Sequence, residues 1–408
     1  MNTLANTLSL PQPTRAGLPA SARPLLRLLE RLDGGSLELS LPDGSCRIFA
    51  GAGPRHAAMD IRDWALFDAV LARGDIGLAE AWLDGQWESP DPAALLTLLA
   101  ENRDALARAL YGSAWSLFGA RLRHAFNANT RAGSRRNILA HYDLGNDFYR
   151  LWLDPGMSYS SALYEGDPQR PLQEAQEAKN RRILSKLQAT PGQRVLEIGC
   201  GWGGFAELAA RDGLAVHGIT LSPSQLAYAG ERMARVGLDD RARFSLTDYR
   251  DLAGRYDHIV SVEMFEAVGE RWWPAWFAAV ARNLAPGGRA VAQSIVIRDD
   301  LFARYRKGTD FIQQMVFPGG MLPSISAFRE QAGRAGLEVR EAFAFGRDYA
   351  RTLAEWAKNF EAAWPQIARL GFDERFRRLW RFYLAYCEAG FRSGATDVYH
   401  FLLQKPRA

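Results

Sequence analysis

The chain has little of what disulfide-bonded, metal-binding or membrane-spanning proteins require. Its three cysteines, Cys46, Cys200 and Cys387, lie far apart among 408 residues, which predicts a reducing compartment and no disulfide framework. The six histidines show no His-x-x-x-His spacing and there is no Cys-x-x-Cys pair, so we expect no metal site. No apolar run approaches the roughly 20 residues that cross a bilayer, and the N-terminus lacks the pattern of a signal peptide. These absences predict a soluble, cytoplasmic protein.

A strong excess of one charge is also missing. The 50 Lys and Arg residues against 46 Asp and Glu leave a formal net charge of +4, so no nucleic-acid partner is expected. With 48% hydrophobic residues, a chain of this length can bury a large core and should hold more than one domain.

Three segments are predicted ahead of the main domain. Residues 1–20 are rich in Pro, Thr, Ser and Ala and are expected to form a flexible tail. In residues 21–100 a strand–turn–strand pattern precedes helical periodicity, which predicts a small α+β domain. We expect it to be an accessory domain for lipid docking or dimerisation. Residues 101–136 combine aromatics and arginines at helical spacing. Such a helix suits either an anionic membrane surface or packing on the next domain as an amphipathic linker.

Residues 137–408 alternate predicted strands and helices, which is typical of a doubly wound α/β domain. The strand candidates are 194–198, 215–220, 258–262 and 290–296, with 401–404 as a candidate edge strand. Such sheets bind ligands beyond the carboxyl ends of their strands. The long segment 301–325 exceeds what a minimal fold of this kind needs, so we expect it to shape a substrate cavity.

The most informative stretch is the first of these strands and the turn after it. From Val195 to Phe205 the sequence is Val-Leu-Glu-Ile-Gly-Cys-Gly-Trp-Gly-Gly-Phe, a buried strand that breaks into a Gly-x-Gly-x-Gly-Gly turn. Glu197 precedes the first glycine by two residues, and the next strand ends in Thr-Leu-Ser rather than in the carboxylate that binds the ribose of NAD. The turn therefore predicts binding of S-adenosylmethionine (SAM), with Glu197 as a cofactor contact or as a capping partner of the loop.

Further motifs, in the same order along the chain, resemble those of the cyclopropane-fatty-acyl-phospholipid synthase family. They are His-Tyr-Asp-Leu-Gly-Asn-Asp-Phe-Tyr from His141, Ser-Val-Glu-Met-Phe-Glu-Ala-Val-Gly from Ser261, Phe-Pro-Gly-Gly-Met-Leu-Pro-Ser from Phe317 and Phe-Gly-Arg-Asp-Tyr from Phe345. The family includes mycolic-acid cyclopropane synthases and fatty-acid methyltransferases. The resemblance covers about residue 136 to the end, and residues 74–92 are similar to the N-terminal module of longer bacterial members. It implies a seven-stranded, Rossmann-like SAM methyltransferase domain.

The resemblance implies methylene transfer from SAM to a cis double bond of an unsaturated acyl chain in a membrane phospholipid. The alkene would attack the SAM methyl group, and the resulting carbocation would lose a proton from the added methyl to close a cyclopropane ring. This chemistry needs a dry cavity, a lining that tolerates a cation, and a base. The family also implies a protein peripheral on the inner face of the cell membrane, and its members often form homodimers.

Matching motifs also assigns the cofactor contacts. Together with Glu197, the set is Tyr159, Ser160, Gly199, Gly201, Thr220, Leu221, Gln225, Asp248 and Tyr249. In this assignment Gln225 takes the place of the missing ribose carboxylate, and Asp248 with Tyr249 flanks the adenine.

The base in the family is a bound bicarbonate, held by a Cys, a Glu, a His, a Tyr and a backbone group. Here Glu266, Tyr349 and the backbone of Ile295 match, whereas Ser161 and Gln293 stand at the Cys and His positions. Ser and Gln can donate hydrogen bonds to a carbonate oxygen, but neither titrates near neutral pH. Two products stay open: a cyclopropane ring, or a methylene or methyl-branched chain made by a fatty-acyl C-methyltransferase.

Other site candidates have two interpretations each. Glu266 ends an apolar strand beside the expected cavity, which favours a site carboxylate with a perturbed pKa over a structural salt bridge. Glu263 is expected to serve packing or cofactor support. His141 would orient the Tyr159 segment or be a satisfied interior histidine. The aromatic residues that could line the cavity, although core packing is the commoner role for each, are Trp272, Trp273, Trp276, Phe277, Phe311, Phe317, Phe343, Phe345, Trp356 and Phe360.

Overall fold

The computed structural model describes residues 18–106 and 144–407. The chain divides into two compact units, residues 1–116 and 117–408. Most of the expected tail, most of the expected linker helix, and His141 lie outside the described residues. Within the described ranges, no helix is both long and apolar enough to cross a membrane.

The first unit contains a four-stranded sheet in the order β2-β1-β3-β4. Its elements within residues 18–106 are α1 (Ala22–Leu29), β1 (Gly34–Ser40), β2 (Cys46–Ala50), β3 (Ala52–Ile61), α2 (Ala65–Arg73), α3 (Asp75–Leu83), β4 (Trp87–Glu88) and α4 (Pro92–Glu101). Strand β1 is antiparallel to β2 and parallel to β3. In the turn that was predicted between β1 and β2, the Ser45 backbone N–H and hydroxyl both donate to Asp43. The α+β architecture follows from this short turn and from the helices around the sheet.

The second unit contains a seven-stranded sheet in the order β10-β11-β9-β8-β5-β6-β7. Its strands are β5 (Arg194–Ile198), β6 (Ala215–Thr220), β7 (Ala242–Leu246), β8 (Tyr256–Val262), β9 (Leu284–Ile297), β10 (Glu338–Ala344) and β11 (Thr396–Gln404). Its α-helices within residues 144–407 are α5 (Asn146–Arg150), α6 (Leu172–Leu187), α7 (Gly204–Arg211), α8 (Pro223–Arg235), α9 (Trp273–Asn283), α10 (Asp299–Tyr305), α11 (Ile325–Arg334), α12 (Gly346–Arg369) and α13 (Glu374–Arg392). Strands β5 to β9 are parallel, and β11 is antiparallel to both neighbours. The predicted doubly wound α/β domain is confirmed.

Strand β5 is apolar on both faces because helices cover both sides of the sheet. Val195 packs with Ile183 in one buried cluster, whereas its neighbour Leu196 belongs to a second cluster with Phe277 and Phe328. Successive side chains of a strand point to opposite faces, so a continuous apolar run serves two layers. The central strands thus end, on their carboxyl side, in loops held by a rigid core.

Three strand predictions need correction. Residues 401–404 were predicted to form an edge strand, but they belong to β11, which lies between β9 and β10. Burial of Val398, Phe401 and Leu403 explains this interior position. The edge strands β7 and β10 were not predicted, because their half-exposed, charge-bearing sequences lack a clear apolar pattern. Strand β9 begins at Leu284 rather than at residue 290. Its register with β8 is irregular between the pairs Tyr256–Leu284 and His258–Arg289.

Candidate active site

The glycine turn after β5 depends on backbone conformations that glycine adopts without steric cost. Gly199, Gly201 and Gly203 have φ values of 85°, 50° and 81°. A Cβ on Gly199 would lie 2.9 Å from the Met264 side chain, whereas a Cβ on Gly201 would meet no heavy atom of the described residues within 4 Å. Glycine therefore permits close packing at the first position and leaves open space at the second.

That open space belongs to a pocket beside the turn, which we call the loop pocket. Its lining is Met157, Ser158, Tyr159, Ser160, Lys179, Asn180, Glu197, Cys200, Gly201, Trp202, Gly204, Phe205, Gln225, Val262 and Glu263. Five of the predicted cofactor residues are in this lining: Tyr159, Ser160, Glu197, Gly201 and Gln225. The carboxyl ends of β5 and β8 and the start of α7 thus converge at one pocket, as the fold predicts.

The other predicted cofactor residues lie outside this lining. Gly199 and Thr220 are at the adjoining strand ends, where the Thr220 hydroxyl donates to Oε1 of Gln225 at 3.0 Å. Leu221 follows Thr220 directly. The Asp248 carboxylate accepts two hydrogen bonds from the Arg250 guanidinium, at 2.8 and 2.6 Å. Tyr249 is buried in one of the apolar clusters of the sheet. The cofactor contacts assigned to these five residues, including those of Asp248 and Tyr249 with the adenine, stay predictions.

Two buried acceptor atoms in the loop pocket lack hydrogen-bond partners among the described residues. Glu197 is only 3% exposed, and burial raises its pKa to about 8. Burial also lowers the pKa of Lys179 to about 8, and its Nζ donates to the Ser160 hydroxyl at 2.9 Å. Among the residues that the structure describes, Oε2 of Glu197 and Oδ1 of Asn180 accept no hydrogen bond. Two buried acceptors of this kind would be satisfied by the N–H or O–H groups of a ligand.

A second cavity, which we call the aromatic cavity, is bounded by segment 301–325, α12, α13 and the ends of β8 and β9. Its aromatic walls are Tyr159, Tyr305, Phe317, Tyr349, Tyr383, Tyr386 and Phe391, and its aliphatic walls include Ile295, Ile312, Met321, Leu322 and Leu353. Its described lining contains three carboxyl groups, Glu263, Glu266 and Asp310, and no lysine or arginine. The cavity is therefore apolar with a locally negative end, a combination that suits an uncharged chain and tolerates developing positive charge.

The two cavities meet. Tyr159 and Glu263 belong to both linings. On its far side the aromatic cavity shares Phe391 and Thr396 with a surface cleft whose cations are Arg182, Lys186, Arg347 and Arg392 and whose acids are Glu165, Asp348 and Asp397. We call it the basic cleft. The loop pocket shares Ser158, Asn180 and Gly204 with a different groove between α6 and α7. Each cavity thus borders its own surface depression, and the cavities contact each other at two residues.

Glu263, directly after β8, is the most heavily bonded carboxylate at this junction. Its Oε1 accepts the Ser161 backbone N–H at 2.8 Å and Nε2 of Gln293 at 2.7 Å. Its Oε2 accepts the Tyr349 hydroxyl at 2.6 Å. Burial raises the Glu263 pKa, and these three hydrogen bonds together with Lys179 act in the opposite direction. Because all three partners donate, their hydrogen bonds favour the ionised form of the carboxylate.

Gln293 on β9 is held in one orientation by His400 on β11. Oε1 of Gln293 and Nε2 of His400 are 2.8 Å apart, and burial lowers the His400 pKa well below its ordinary value, so the ring is neutral. An amide oxygen can only accept, so His400 donates and Nε2 of Gln293 must face Glu263. Two buried residues therefore act in series to present one N–H to the carboxylate.

Glu266 has a separate set of contacts in the same cavity. Its Oε1 accepts the Ser294 hydroxyl at 3.0 Å and the Ile295 backbone N–H at 2.5 Å. Its Oε2 is buried without a hydrogen-bond partner among the described residues. Burial raises its pKa to about 8, and the charge of Glu263 acts in the same direction. Glu266 therefore holds its proton to a higher pH than an exposed carboxyl group does.

The predicted catalytic set is thus divided between two carboxyl groups. The sequence grouped Ser161, Gln293 and Tyr349 with Glu266, but in the structure all three donate to Glu263. The left-handed φ of 49° at Glu263 turns its side chain toward them, and a sequence does not show this backbone turn. Ser161 contributes its backbone N–H, while its hydroxyl donates to the Ala162 carbonyl. Glu263, which was expected to serve packing or cofactor support, accepts all three of these hydrogen bonds, and its role stays a prediction.

The aromatic walls also differ from those that the sequence suggested. Of the ten candidates, Phe317 lines the cavity, whereas Trp273, Trp276 and Phe277 belong to an apolar cluster against the sheet. The unpredicted walls come from α13, where Tyr383, Tyr386, Cys387, Gly390 and Phe391 recur at helical spacing on one face. This periodicity is visible in the sequence, but only the fold shows that this face of α13 borders a cavity.

Comparison with known proteins first establishes the class. A solved mycolic acid cyclopropane synthase, complexed with SAH and CTAB, matches 66% of this chain and 98% of its own, with a TM-score of 0.62 and 34% sequence identity. The seven-stranded fold, the glycine turn and this similarity define the protein as an enzyme of the SAM-dependent methyltransferase class.

The family follows from the sequence comparisons. Residues 129–401 match the model of the mycolic acid cyclopropane synthetase family, and the chain belongs to this family. The tuberculostearic acid methyltransferase of Mycobacterium tuberculosis is 38% identical over 399 residues, covering 95% of this chain and 93% of that protein. The cyclopropane-fatty-acyl-phospholipid synthase of Escherichia coli K12 is 37% identical over 361 residues, covering 86% and 89%. The resemblance that the motifs indicated is confirmed.

Proposed function

We propose that this enzyme transfers a one-carbon unit from SAM to a cis double bond of an unsaturated acyl chain in a membrane phospholipid, with a cyclopropane fatty acid as product. The observation that carries the proposal is the shared wall of the two cavities at Tyr159 and Glu263. A methyl donor in the loop pocket and an alkene in the aromatic cavity would meet beside a buried carboxylate.

The residues of the loop pocket fit SAM. Oε2 of Glu197 and Oδ1 of Asn180, unpartnered within the described residues, would accept from the amino group and hydroxyls of the cofactor. A side chain at Gly201 would project into the same space. We place Tyr159, Ser160 and Gln225 around the cofactor, with Gly199, Thr220, Leu221, Asp248 and Tyr249 at the adjoining strand ends. When bound, SAM would supply an electrophilic methyl group.

The aromatic cavity fits the acyl chain. Its lining is mostly apolar, and electron-rich tyrosine rings with the Glu263 carboxylate would stabilise positive charge that develops on the chain. Glu266 and Ile295 bound the same space through their mutual hydrogen bond. We propose that Glu266, whose pKa burial raises to about 8, keeps its proton at neutral pH and so adds no charge beside Glu263.

The basic cleft supports a phospholipid as the carrier of the chain. Arg347 is exposed and lines this cleft, which shares Phe391 and Thr396 with the aromatic cavity. A lipid phosphate bound in this cleft would accept two hydrogen bonds from the Arg347 guanidinium, while an acyl chain of the same lipid extended into the aromatic cavity. We therefore propose peripheral binding to the cytoplasmic face of the membrane, with residues 21–100 as an accessory docking domain.

A second candidate product is a methylene or methyl-branched acyl chain. The observation that favours it is the similarity over 95% of this chain to a protein named as a tuberculostearic acid methyltransferase. The presence of Ser161 and Gln293 at the two base-site positions is consistent with either product. A cyclopropane ring and a methylene group both require a proton to leave the substrate, so the site geometry serves both of these products.

The test uses purified full-length enzyme, vesicles of unsaturated phospholipid, and SAM with a trideuterated methyl group. Transfer with loss of one deuterium, no remaining double bond, and ring protons in the NMR spectrum would support cyclopropanation. An exomethylene signal would support the second candidate. Absence of label from every acyl chain, while SAH still binds, would refute the proposed lipid substrate.

A further inference from the structure

Two of the side chains expected to hold a bicarbonate ion, Gln293 and Tyr349, already donate to Glu263, as does the backbone of Ser161, and the expected Ile295 N–H donates to Glu266. Ser161 N–H, Gln293 Nε2 and Tyr349 hydroxyl lie 2.8, 2.7 and 2.6 Å from the oxygens of Glu263. A carboxylate presents the same planar O–C–O fork as bicarbonate, so it satisfies the same donors. The Tyr349 hydroxyl has one proton, and that proton is committed to Oε2 of Glu263.

A second anion does not fit beside this group. The charge of Glu263 already raises the pKa of Glu266, in a cavity whose described lining adds Asp310 and has no lysine or arginine. Like charges at close range in a water-poor site cannot both stay ionised. The residues present therefore do not provide a bicarbonate site, in contrast to what the family resemblance implied.

We propose that the Glu263 carboxylate is the built-in base of this enzyme and takes the proton that bicarbonate takes elsewhere in the family. The inference rests on the proposed function, because it concerns the proton released after one-carbon transfer to the acyl chain. Glu263 lines both cavities, so it is next to the place where the donor and the alkene would meet. Glu266 lines only the aromatic cavity and is not at this junction.

The proton transfer balances without any further reactant. A C–H bond of the newly added methyl group breaks, and its proton goes to Oε2 of Glu263, which has one lone pair left beside the Tyr349 hydrogen bond. The electron pair of that bond forms a new C–C bond to the cationic carbon and closes the ring. For a methylene product, a hydride first shifts from the methyl-bearing carbon to the cationic carbon, and the same electron pair then forms a C=C bond instead. Protonated Glu263 then returns its proton to solvent.

The backbone holds Glu263 in place for this role. Its φ of 49° lies in the left-handed region, which is uncommon for a residue with a side chain, and its N–H donates to the Gln293 carbonyl at 2.9 Å. Gln293 is therefore bonded to Glu263 through both its backbone and its side chain, and His400 fixes the amide. His400 is a positioning residue in this arrangement.

The experiment compares purified full-length variants in the vesicle assay, with and without bicarbonate, in buffers freed of carbon dioxide. Wild-type turnover should be independent of bicarbonate. Glu263→Gln should lower kcat at least 100-fold while SAH affinity stays within a few-fold. Glu263→Gly, which suits the left-handed backbone, should be equally slow and should recover at least ten-fold with added formate or bicarbonate. Gln188→Gly is the matched control, since Gln188 has a φ of 54° outside both cavities and should retain full turnover.

Each outcome has a defined meaning. Loss of wild-type turnover on removal of bicarbonate, or retention of kcat in Glu263→Gln, would overturn the built-in base while leaving the proposed function intact. Failure of small anions to restore Glu263→Gly, although it binds SAH and keeps its circular dichroism spectrum, would also count against the base role. If the wild type labels no acyl chain, the proposed function fails and the base role fails with it.

Discussion

Replacing Glu197 with glutamine should stabilise the second unit without cofactor at pH 8, and the gain should shrink toward pH 5. Burial raises the Glu197 pKa from 4.5 to about 8. Between these values the folded protein holds a proton that the unfolded chain has released, so wild-type stability falls as the pH rises. Glutamine cannot ionise, and the variant therefore loses this pH dependence.

The magnitude follows from the two pKa values. They differ by about 3.5, and each pKa unit corresponds to about 1.4 kcal/mol, which sets a limit of about 5 kcal/mol above pH 8. Between pH 5 and pH 8 the free energy of unfolding of Glu197→Gln should rise relative to wild type by about 3 kcal/mol. Most of this change should occur above pH 5.5, where the unfolded carboxyl group is already ionised.

Urea-dependent hydrogen exchange of the β5 amides would measure the free energy of unfolding of the second unit separately from the first. The measurement is made at pH 5, 6.5 and 8 without SAM. Glu177→Gln on α6 is the control, because the Glu177 side chain is 51% exposed and pairs with Arg181 at the surface. A difference between Glu197→Gln and wild type that stays constant from pH 5 to pH 8 would refute the reasoning.

Three other changes test separate parts of the site. Gly201→Ala should weaken SAH binding at least ten-fold in calorimetry, whereas Gly192→Ala, also left-handed with open surroundings, should lose only about 1 kcal/mol of stability and no affinity. Equal affinities for the two variants would remove Gly201 from the cofactor site. Tyr349→Phe keeps the ring that stacks 4.4 Å from Phe391 but loses the hydrogen bond to a carboxylate, so kcat should fall about 10- to 100-fold at unchanged SAH affinity. Arg347→Gln should raise KM for phospholipid vesicles several-fold more than Arg340→Gln, a surface control; identical KM values would exclude Arg347 from headgroup binding.

The sequence was most informative where one interaction dominates. Strands β5 and β6 were predicted with their observed bounds, because buried parallel strands are mostly apolar and these two end in glycine or polar turns. Strands β7 and β10, at the edges of the sheet, mix charged and apolar residues and gave no comparable signal. Edge strands are half exposed, so their composition reflects solvent as much as the core.

The residues of the site were predicted better than the hydrogen bonds between them. Motif matching identified Ser161, Gln293 and Tyr349, and the structure brings all three to one carboxylate. Which carboxylate they contact depends on the backbone conformation between Glu263 and Glu266. The residue types at these two positions do not show which side chain faces the donors. The role of His400 was also not predicted, because its contact with Gln293 arises only when β11 pairs with β9.

The separate surface depressions beside the two cavities have a kinetic consequence. If the proposed acyl chain enters from the basic cleft and the cofactor enters from the groove between α6 and α7, neither would block the path of the other. Steady-state analysis should therefore show random-order addition of the two substrates. Spent SAH could exchange for fresh SAM while the lipid stays bound, so that several double bonds are modified in one membrane encounter. The enzyme would then act processively on polyunsaturated phospholipids and leave few singly modified chains.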